Sequence, residues 1–142
     1  MHTLLALVIA TSTFFATPAD THTVTVVVEG VRSAEGTVGI GLYDADSPWP
    51  DKPIHFAQAS KVEGQSSYTL VLTDIPTGTY AVSVLDDLNA NNEMDTNLFG
   101  WPQEGFAFSN NKAPTLLGAP SFKECAFEVK SDTRQTLSLI YF

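Results

Sequence analysis

The chain has 142 residues, of which 44% are hydrophobic, and its 16 acidic and 7 basic residues give a formal net charge of -9 at pH 7. This acidity excludes nucleic acid as an expected partner, because phosphates bind to basic surfaces, and it disfavours anionic membranes for the same reason. A single cysteine excludes an internal disulfide framework, and we expect Cys125, flanked by apolar residues, in the core.

The first residues have the pattern of an export signal. Residues 3–16 form an apolar stretch as long as a secretory h-region, and Ala19 ends a small-residue cleavage site. We therefore predict a signal peptide over residues 1–19 and one secreted domain over residues 20–142, in the periplasm or outside the cell. An uncleaved anchor and a first strand are the alternatives. The apolar run of residues 3–16 is shorter than the roughly 20 apolar residues that a spanning helix needs. We therefore favour secretion over an anchor and expect no membrane insertion of the mature chain.

Apolar residues alternate with period two along the rest of the chain, which predicts β-strands. The alternating sets are Val24, Val26 and Val28; Val38, Ile40 and Leu42; residues 56–62; Tyr68, Leu70 and Leu72; Tyr80, Val82 and Val84; and Phe127 and Val129 followed by Leu137, Leu139 and Tyr141. Gly39 and Gly41 lie on the opposite face of the second set. Short strands at this spacing, without intervening helices, predict an all-β fold, an antiparallel β-sandwich of about seven strands.

Turn residues separate the predicted strands. We expect residues 29–36 to close a first hairpin and residues 131–133 to close a last one. Residues 74–78 predict a turn in which Pro76 fixes φ and Gly78 takes a positive φ. The motif Leu-x-Asp-Ile-Pro-x-Gly-x-Tyr, which begins at Leu72, is similar to the corner of transthyretin-like and CnaB-like sandwiches. An Ig-like sandwich is the alternative.

One long connection, from Asp86 to about Phe122, lacks strand alternation. A compact domain seldom holds an irregular connection of this length unless something orders it or it has a function. The connection opens with oxygen-bearing residues at every second position, namely Asp87, Asn89, Asn91, Glu93 and Asp95. Ca²⁺ binds about 6 to 8 oxygens in proteins. The run therefore predicts a long ordered loop that binds Ca²⁺.

The run matches an EF-hand loop at the ligand positions 1, 3, 5, 7 and 9 and departs from it at the twelfth. Leu98 stands where an EF-hand has a bidentate glutamate, so we expect Glu104 to complete the site, with Asp86 and then Asn97 as alternatives. Asn92 stands at the sixth position, where asparagine tolerates a positive φ. The other interpretation is a plain loop whose Asp and Asn side chains cap nearby backbone groups.

Trp49 and Trp101 are candidates for a partner or ligand surface. Each tryptophan precedes a proline within a predicted loop. Exposed rings stack on sugars and on partner side chains, whereas buried rings form the core of their own loop. Both interpretations are open at this point.

A rival function is a small hydrolase of the glycosidase type, which needs two carboxyl groups about 5 to 9.5 Å apart. Asp86, Asp87 and Glu104 are its candidate carboxylates. No serine lies in a Gly-x-Ser-x-Gly motif, and glycine-rich phosphate loops are absent. We therefore assign no catalytic and no cofactor-binding residue and expect a non-enzymatic protein.

The long motif in residues 80–111, together with Pro120-Ser-Phe122 and the closing Leu-Ile-Tyr141, resembles the bacterial DUF2141 family. The likeness extends from about Val24 to Tyr141. It implies a small exported bacterial protein with a β-sandwich fold, and it implies no particular activity. The chain departs from the family pattern at Asp86, where the family often has histidine, and at Asn92, where it usually has glycine.

These observations predict a binding or assembly module. The long loop would recognise a protein or polysaccharide partner. The apolar residues 139–142 would allow self-assembly, since a terminal strand at a sheet edge can pair with another chain.

Overall fold

A computed structural model describes residues 19–142 as two β-sheets packed face to face. The strands are β1 Thr21–Glu29, β2 Thr37–Tyr43, β3 His55–Ser60, β4 Ser67–Pro76, β5 Gly78–Asp87, β6 Gly105–Phe108, β7 Phe127–Val129 and β8 Thr133–Ser138. One sheet has the order β4-β1-β8; the other has the order β3-β2-β5-β6, with β7 also paired to β5. The predicted all-β sandwich is confirmed, and all pairs are antiparallel except β1 with β8.

The described part of the chain begins just before β1. Apart from Ala19, the predicted signal peptide lies outside it. The backbone N–H of Thr77 donates to the carbonyl of Asp20 at 3.1 Å, so the start of β1 is joined to the turn after β4. Between residues 19 and 142, no helix has the length and apolarity that crossing a membrane requires.

The main core lies between the two sheets and consists of the inward-facing residues that the alternation predicted. Successive side chains of a strand point to opposite faces, so Val24, Val26 and Val28 of β1 meet Val38, Ile40 and Leu42 of β2. All six are 0% exposed. Full burial of such a side chain stabilises the fold by about 1.5–3 kcal/mol. These sets therefore hold the sheets together.

Both predicted hairpins are wrong, because the strands that flank each connection lie in opposite sheets. β1 belongs to the three-stranded sheet and β2 to the five-stranded one. At the end of the chain, β7 pairs with β5, whereas β8 pairs in parallel with β1. Turn residues show where the chain reverses, but they carry no information about which sheet it enters next.

The corner between β4 and β5 also carries the chain across the sandwich. The Tyr80 hydroxyl donates to the carbonyl of Pro76 at 2.9 Å. A Cβ at Gly78 would lie 3.1 Å from the Tyr80 ring, so glycine makes room for this contact. The positive φ of the turn lies at Asp74 (59°) and not at Gly78, which corrects the sequence prediction. Aspartate tolerates this conformation better than most residues.

The long connection after β5 contains regular structure that the sequence analysis missed. β6 pairs with β5, and a 3-10 turn at Ser109–Asn111 and a one-turn helix, α1, at Phe122–Cys125 follow it. All four residues of β6 are buried. A strand buried on both faces shows no polar alternation, so its sequence does not distinguish it from an apolar loop.

A second, smaller core covers one end of the outer face of the five-stranded sheet. Its buried members are Ala81, Phe106, Phe108 and Cys125, and Trp49, Met94, Phe122 and Ile140 pack against them. Cys125 is 0% exposed, which confirms the predicted burial. The rest of this outer face is left open beside the second core.

The C-terminal residues join the two sheets at one side of the sandwich. Leu139 donates its backbone N–H to the carbonyl of Glu29, and Ile140 exchanges two backbone hydrogen bonds with Phe106, at 2.8 and 3.1 Å. β8 ends at Ser138, before the predicted end of the strand at Tyr141. The backbone of Ile140 is thus paired within the chain, and self-assembly stays a prediction.

Candidate functional site

The oxygen-rich loop, residues 87–95, folds around the carboxylate of Asp87. Asp87 is 1% exposed. Its Oδ1 accepts the backbone N–H of Asn91 at 3.2 Å, and its Oδ2 accepts that of Asn92 at 2.7 Å. Asn92 has a φ of 60°, the conformation predicted for it, and Ala90 has a φ of 57°. A buried carboxylate thus fixes the first half of the loop.

Glu104 closes the loop from the other side. It is 2% exposed. Its Oε1 accepts the backbone N–H of Leu88 at 2.8 Å, and its Oε2 accepts that of Asp95 at 3.0 Å. Because one carboxylate bonds to both ends of the loop, it holds those ends together. The structure thus brings Glu104 to the oxygen-rich run, where the sequence analysis placed it.

Three further side chains of the loop, those of Asn89, Asn91 and Asp95, bond to one another. The Nδ2 groups of Asn89 and Asn91 donate to the two carboxylate oxygens of Asp95, at 2.6 and 3.1 Å. The Oδ1 of Asn91 accepts the backbone N–H of Glu93 at 2.8 Å. This arrangement is the self-capped loop of the second interpretation. A half-turn of an asparagine amide exchanges its oxygen and nitrogen, so the same residues can present oxygens to a cation.

The oxygen atoms of the loop are ligands of the kind that a hard cation such as Ca²⁺ binds. Asp87 and Glu104 accept one N–H on each oxygen, and a carboxylate oxygen has two lone pairs. The side chains of Asn89, Asn91 and Asp95 and the carbonyl of Glu93 complete the residues that would hold Ca²⁺. Within residues 19–142, however, no three His, Cys, Asp or Glu side chains are grouped to hold a metal ion. Calcium binding therefore stays a prediction.

Asp86 belongs to a separate buried network. Its Oδ1 accepts a hydrogen bond from the Nζ of Lys61 at 2.7 Å, and its Oδ2 accepts one from the Tyr141 hydroxyl at 2.7 Å. Burial is the main cause that raises the pKa of the Tyr141 hydroxyl, and its hydrogen bond to Asp86 raises this pKa further. A Cβ at Gly105 would lie 2.5 Å from the Tyr141 ring, so the ring can lie here only over a glycine. Both oxygens of Asp86 are therefore engaged inside the sandwich.

Trp49 lies in the second core. Its ring packs edge-on against Tyr43, with centroids 4.9 Å apart, and contacts Phe108 at 5.7 Å. Its Nε1 donates to the carbonyl of Pro120 at 2.8 Å. This is the loop-core environment, the second of the two interpretations of the tryptophans.

Trp101 lies in a different environment. Its side chain is 52% exposed, and its ring packs against Phe142 with centroids 5.4 Å apart. It lines a cleft of about 990 Å³ on the outer face of the five-stranded sheet. Of the two tryptophans, Trp101 is therefore the one that a ligand can reach.

The cleft has a glycine floor and aromatic walls. Gly39 and Gly41 of β2 face it. A Cβ at Gly39 would lie 3.1 Å from the Phe56 ring, and one at Gly41 would lie 3.0 Å from the Tyr43 ring, so both rings pack closely over the glycines. Phe99, Trp101, Phe106, Phe108 and Phe142 add further rings. In the sequence, the signal for this site was the position of both glycines on one face of the predicted strand, which by itself does not indicate a cleft.

The oxygen-rich loop forms part of the cleft wall. Asn92, Glu93 and Met94 line the cleft, and Met94 also packs against the second core. The conformation that Asp87 and Glu104 impose on the loop therefore sets the position of this wall. The two regions that the sequence analysis singled out, the loop and Trp101, meet at one cleft.

These features define a small all-β sandwich protein with an aromatic cleft on one sheet and an ordered oxygen-rich loop at its margin. The chain belongs to the family described as "Uncharacterized protein conserved in bacteria (DUF2141)", whose profile matches residues 26–137. The family resemblance noted in the sequence is thus confirmed. No match was found among curated proteins or among solved structures.

Proposed function

We propose that this protein is a secreted or periplasmic, non-enzymatic binding module whose ligand site is the aromatic cleft. The observation that carries the proposal is a set of solvent-accessible rings in one cavity of about 990 Å³. Binding sites are typically concave, mainly apolar and roughly 300–1,000 Å³ in volume. The export signal predicted in residues 1–19 supports the location outside the cytoplasm.

The lining favours an apolar segment of a partner protein over a polysaccharide. Besides the hydroxyl of Tyr43 and the indole N–H of Trp101, the polar side chains at the cleft are those of Asp51, Ser83, Asn92, Glu93 and Thr115. The hydroxyl of Ser83 already bonds to that of Tyr43 at 3.1 Å. A sugar needs hydrogen-bond partners for its many hydroxyl groups, because a buried polar group without one is costly. Aromatic and apolar side chains have no such requirement.

We further propose that Ca²⁺ stabilises the oxygen-rich loop and so keeps the cleft in shape. Asp87 and Glu104 are buried carboxylates that bond to the loop backbone, and Asn92 to Met94 line the cleft. The donor set contains only oxygens, the ligand type that Ca²⁺ prefers. A bound cation would offset the mutual repulsion of the carboxylates.

The hydrolase alternative has less support. Asp86, Asp87 and Glu104 are each at most 2% exposed. Asp86 pairs with Lys61, and the other two accept backbone N–H groups. A catalytic acid or base must reach the substrate proton directly or through one water. A substrate-specific turnover that is lost in Glu104→Gln would nevertheless favour the hydrolase over the binding module.

Titration with the uncharged fluorophore N-phenyl-1-naphthylamine tests the cleft as a binding site. We expect its emission to rise on binding to the wild type, and Trp101→Ala to weaken the affinity by about tenfold or more, as for a central aromatic contact. Val71→Ala is the matched control, because Val71 is 50% exposed on β4, in the opposite sheet. Equal affinity in the wild type and both variants would contradict the proposal.

A further inference from the structure

We propose that the occupant of the cleft is a segment of a partner protein that combines apolar side chains with Lys or Arg. This inference rests on the proposed function and specifies the chemistry of the partner. Two observations carry it, the exposed apolar turns beside the cleft and the sign of the charges around it.

Two turns beside the cleft expose large apolar side chains. In the turn Asn97–Gly100, the N–H of the last residue donates to the carbonyl of the first at 2.9 Å. In the turn Thr115–Gly118, the end residues exchange two such bonds, at 2.8 and 3.1 Å. Turn tips usually carry Gly, Pro, Asn, Asp or Ser. Here they carry Leu98 (102% exposed), Phe99 (86%), Leu116 (101%) and Leu117 (99%).

The exposed tips indicate that the partner is a macromolecule. Phe99 and Leu116 line the cleft, so both turns border it. Leu98 and Leu117 do not line the cleft and are almost entirely in solvent, so a small molecule inside the cleft would leave them uncovered. Clustered apolar exposure of this kind marks interaction surfaces. A polypeptide segment that fills the cleft can also cover the tips on either side.

The charges around the cleft select a basic partner. Asp51 and Glu93 are the charged residues that line it, and both are exposed. Among the described lining residues there is no Lys, Arg or His. Complementary charge steers a partner and excludes partners of the wrong sign, and aromatic faces attract ammonium and guanidinium groups as well. An anionic bilayer, the other surface that could cover apolar tips, is repelled by these carboxylates and by the net charge of -9.

The test is a fluorescence titration of the full mature protein, in which the change in tryptophan emission reports binding, since Trp101 lies at the cleft. The probes are a synthetic peptide of leucine and lysine and its counterparts with glutamine or glutamate at each lysine position. We expect the lysine peptide to bind about tenfold more tightly than the glutamine peptide, with the glutamate peptide weaker still. Added salt should reduce this difference.

A pair of double variants separates the cleft carboxylates from the overall charge. Asp51→Asn with Glu93→Gln should remove the preference for the lysine peptide. The substitution at residue 93 leaves its backbone carbonyl, the atom that would bind Ca²⁺, in place. Glu35→Gln with Glu63→Gln changes the net charge equally, at exposed residues that do not line the cleft, and should keep the wild-type preference. Equal loss in both double variants would overturn the inference, because the attraction would then be to net charge alone.

Two further outcomes distinguish this inference from the proposed function. If the glutamine and lysine peptides bind equally and Trp101→Ala weakens both, the cleft is a binding site but the inference is overturned. If Trp101→Ala binds every peptide as tightly as the wild type does, with a labelled peptide as the reporter, the proposed function fails too. Binding to anionic phosphatidylglycerol vesicles as tight as to the lysine peptide would also overturn the inference.

Discussion

Lys61 and Asp86 form an ion pair inside the sandwich, with the Nζ and Oδ1 atoms 2.7 Å apart and both side chains buried. Tyr141 donates its hydroxyl to the second oxygen of Asp86. The network joins the residue after β3, the end of β5 and the C-terminal residues. The cost of desolvating such a pair offsets much of its Coulomb attraction, but the loss of one partner leaves a buried charge uncompensated.

The first prediction concerns this pair. Lys61→Met and Asp86→Asn should each lower the free energy of unfolding by about 3–5 kcal/mol. The double variant should lose clearly less than the sum, since neither charge is then left alone. Urea denaturation of the three variants measures these differences. Additive losses in the double variant would show that the two groups do not interact.

The second prediction concerns calcium. Calcium at about millimolar concentration, the range of extracellular modules, should raise the Tm of chelator-treated protein. Asp87→Ala with Asp95→Ala should abolish this rise. Because Asp87 also bonds to the loop backbone, this variant will melt lower even without calcium. The readout is therefore the difference in Tm between calcium and chelator.

The control for calcium is Asp46→Asn with Glu128→Gln, which removes two exposed carboxylates near the start of β5, at the opposite end of that strand from the loop, and should keep the rise. An unchanged Tm of the wild type on calcium addition would leave the self-capped loop as the correct interpretation.

The third prediction separates the two tryptophans. Trp49→Ala should lower the free energy of unfolding by about 3–5 kcal/mol, because the ring is part of the second core and its Nε1 bonds to Pro120. Trp101→Ala should cost about 1 kcal/mol or less, since the residue is already 52% exposed. Thermal or urea unfolding measures both. The opposite order of the two losses would place the accessible ring at Trp49.

The fourth prediction concerns alkaline pH. Burial raises the pKa of the Cys125 thiol from 9.0 to about 11. Above pH 9 the unfolded chain loses this proton, whereas the folded protein keeps it until about pH 11. The unfolded state then binds fewer protons, so the free energy of unfolding falls as the pH rises through this interval.

The comparison variant for pH is Cys125→Ala. Tyrosines with raised pKa values, such as Tyr141 and Tyr43, contribute to the fall in both proteins, so the difference between the two curves isolates the thiol. We expect a shallower fall in the variant between pH 9 and 11. Parallel curves would mean that the thiol ionises normally in the folded protein.

Local patterns in the chain were sufficient to predict most of the strands and their faces, although not β6, which is buried on both faces. Side-chain alternation depends only on the two-residue period of a strand, so Val24, Val26 and Val28 could be assigned to the core without coordinates. The positive φ of Asn92 was likewise a local property, because asparagine tolerates that conformation. The prediction of a positive φ at Gly78 was wrong for the same reason, because residue type alone favours glycine, whereas the fold of this turn places the positive φ at Asp74.

The sheet partners and the cleft depend on contacts between residues far apart in the chain, which no local pattern encodes. Residues 29–36 and 131–133 reverse the chain, but the choice between two sheets is made by packing across the whole sandwich. Asp86 and Lys61 are 25 residues apart and meet because β5 and the end of β3 converge. The alternation of Val38, Gly39 and Ile40 was visible from the start. The cleft exists only in the folded protein, where aromatic side chains from distant loops surround the glycine face of β2.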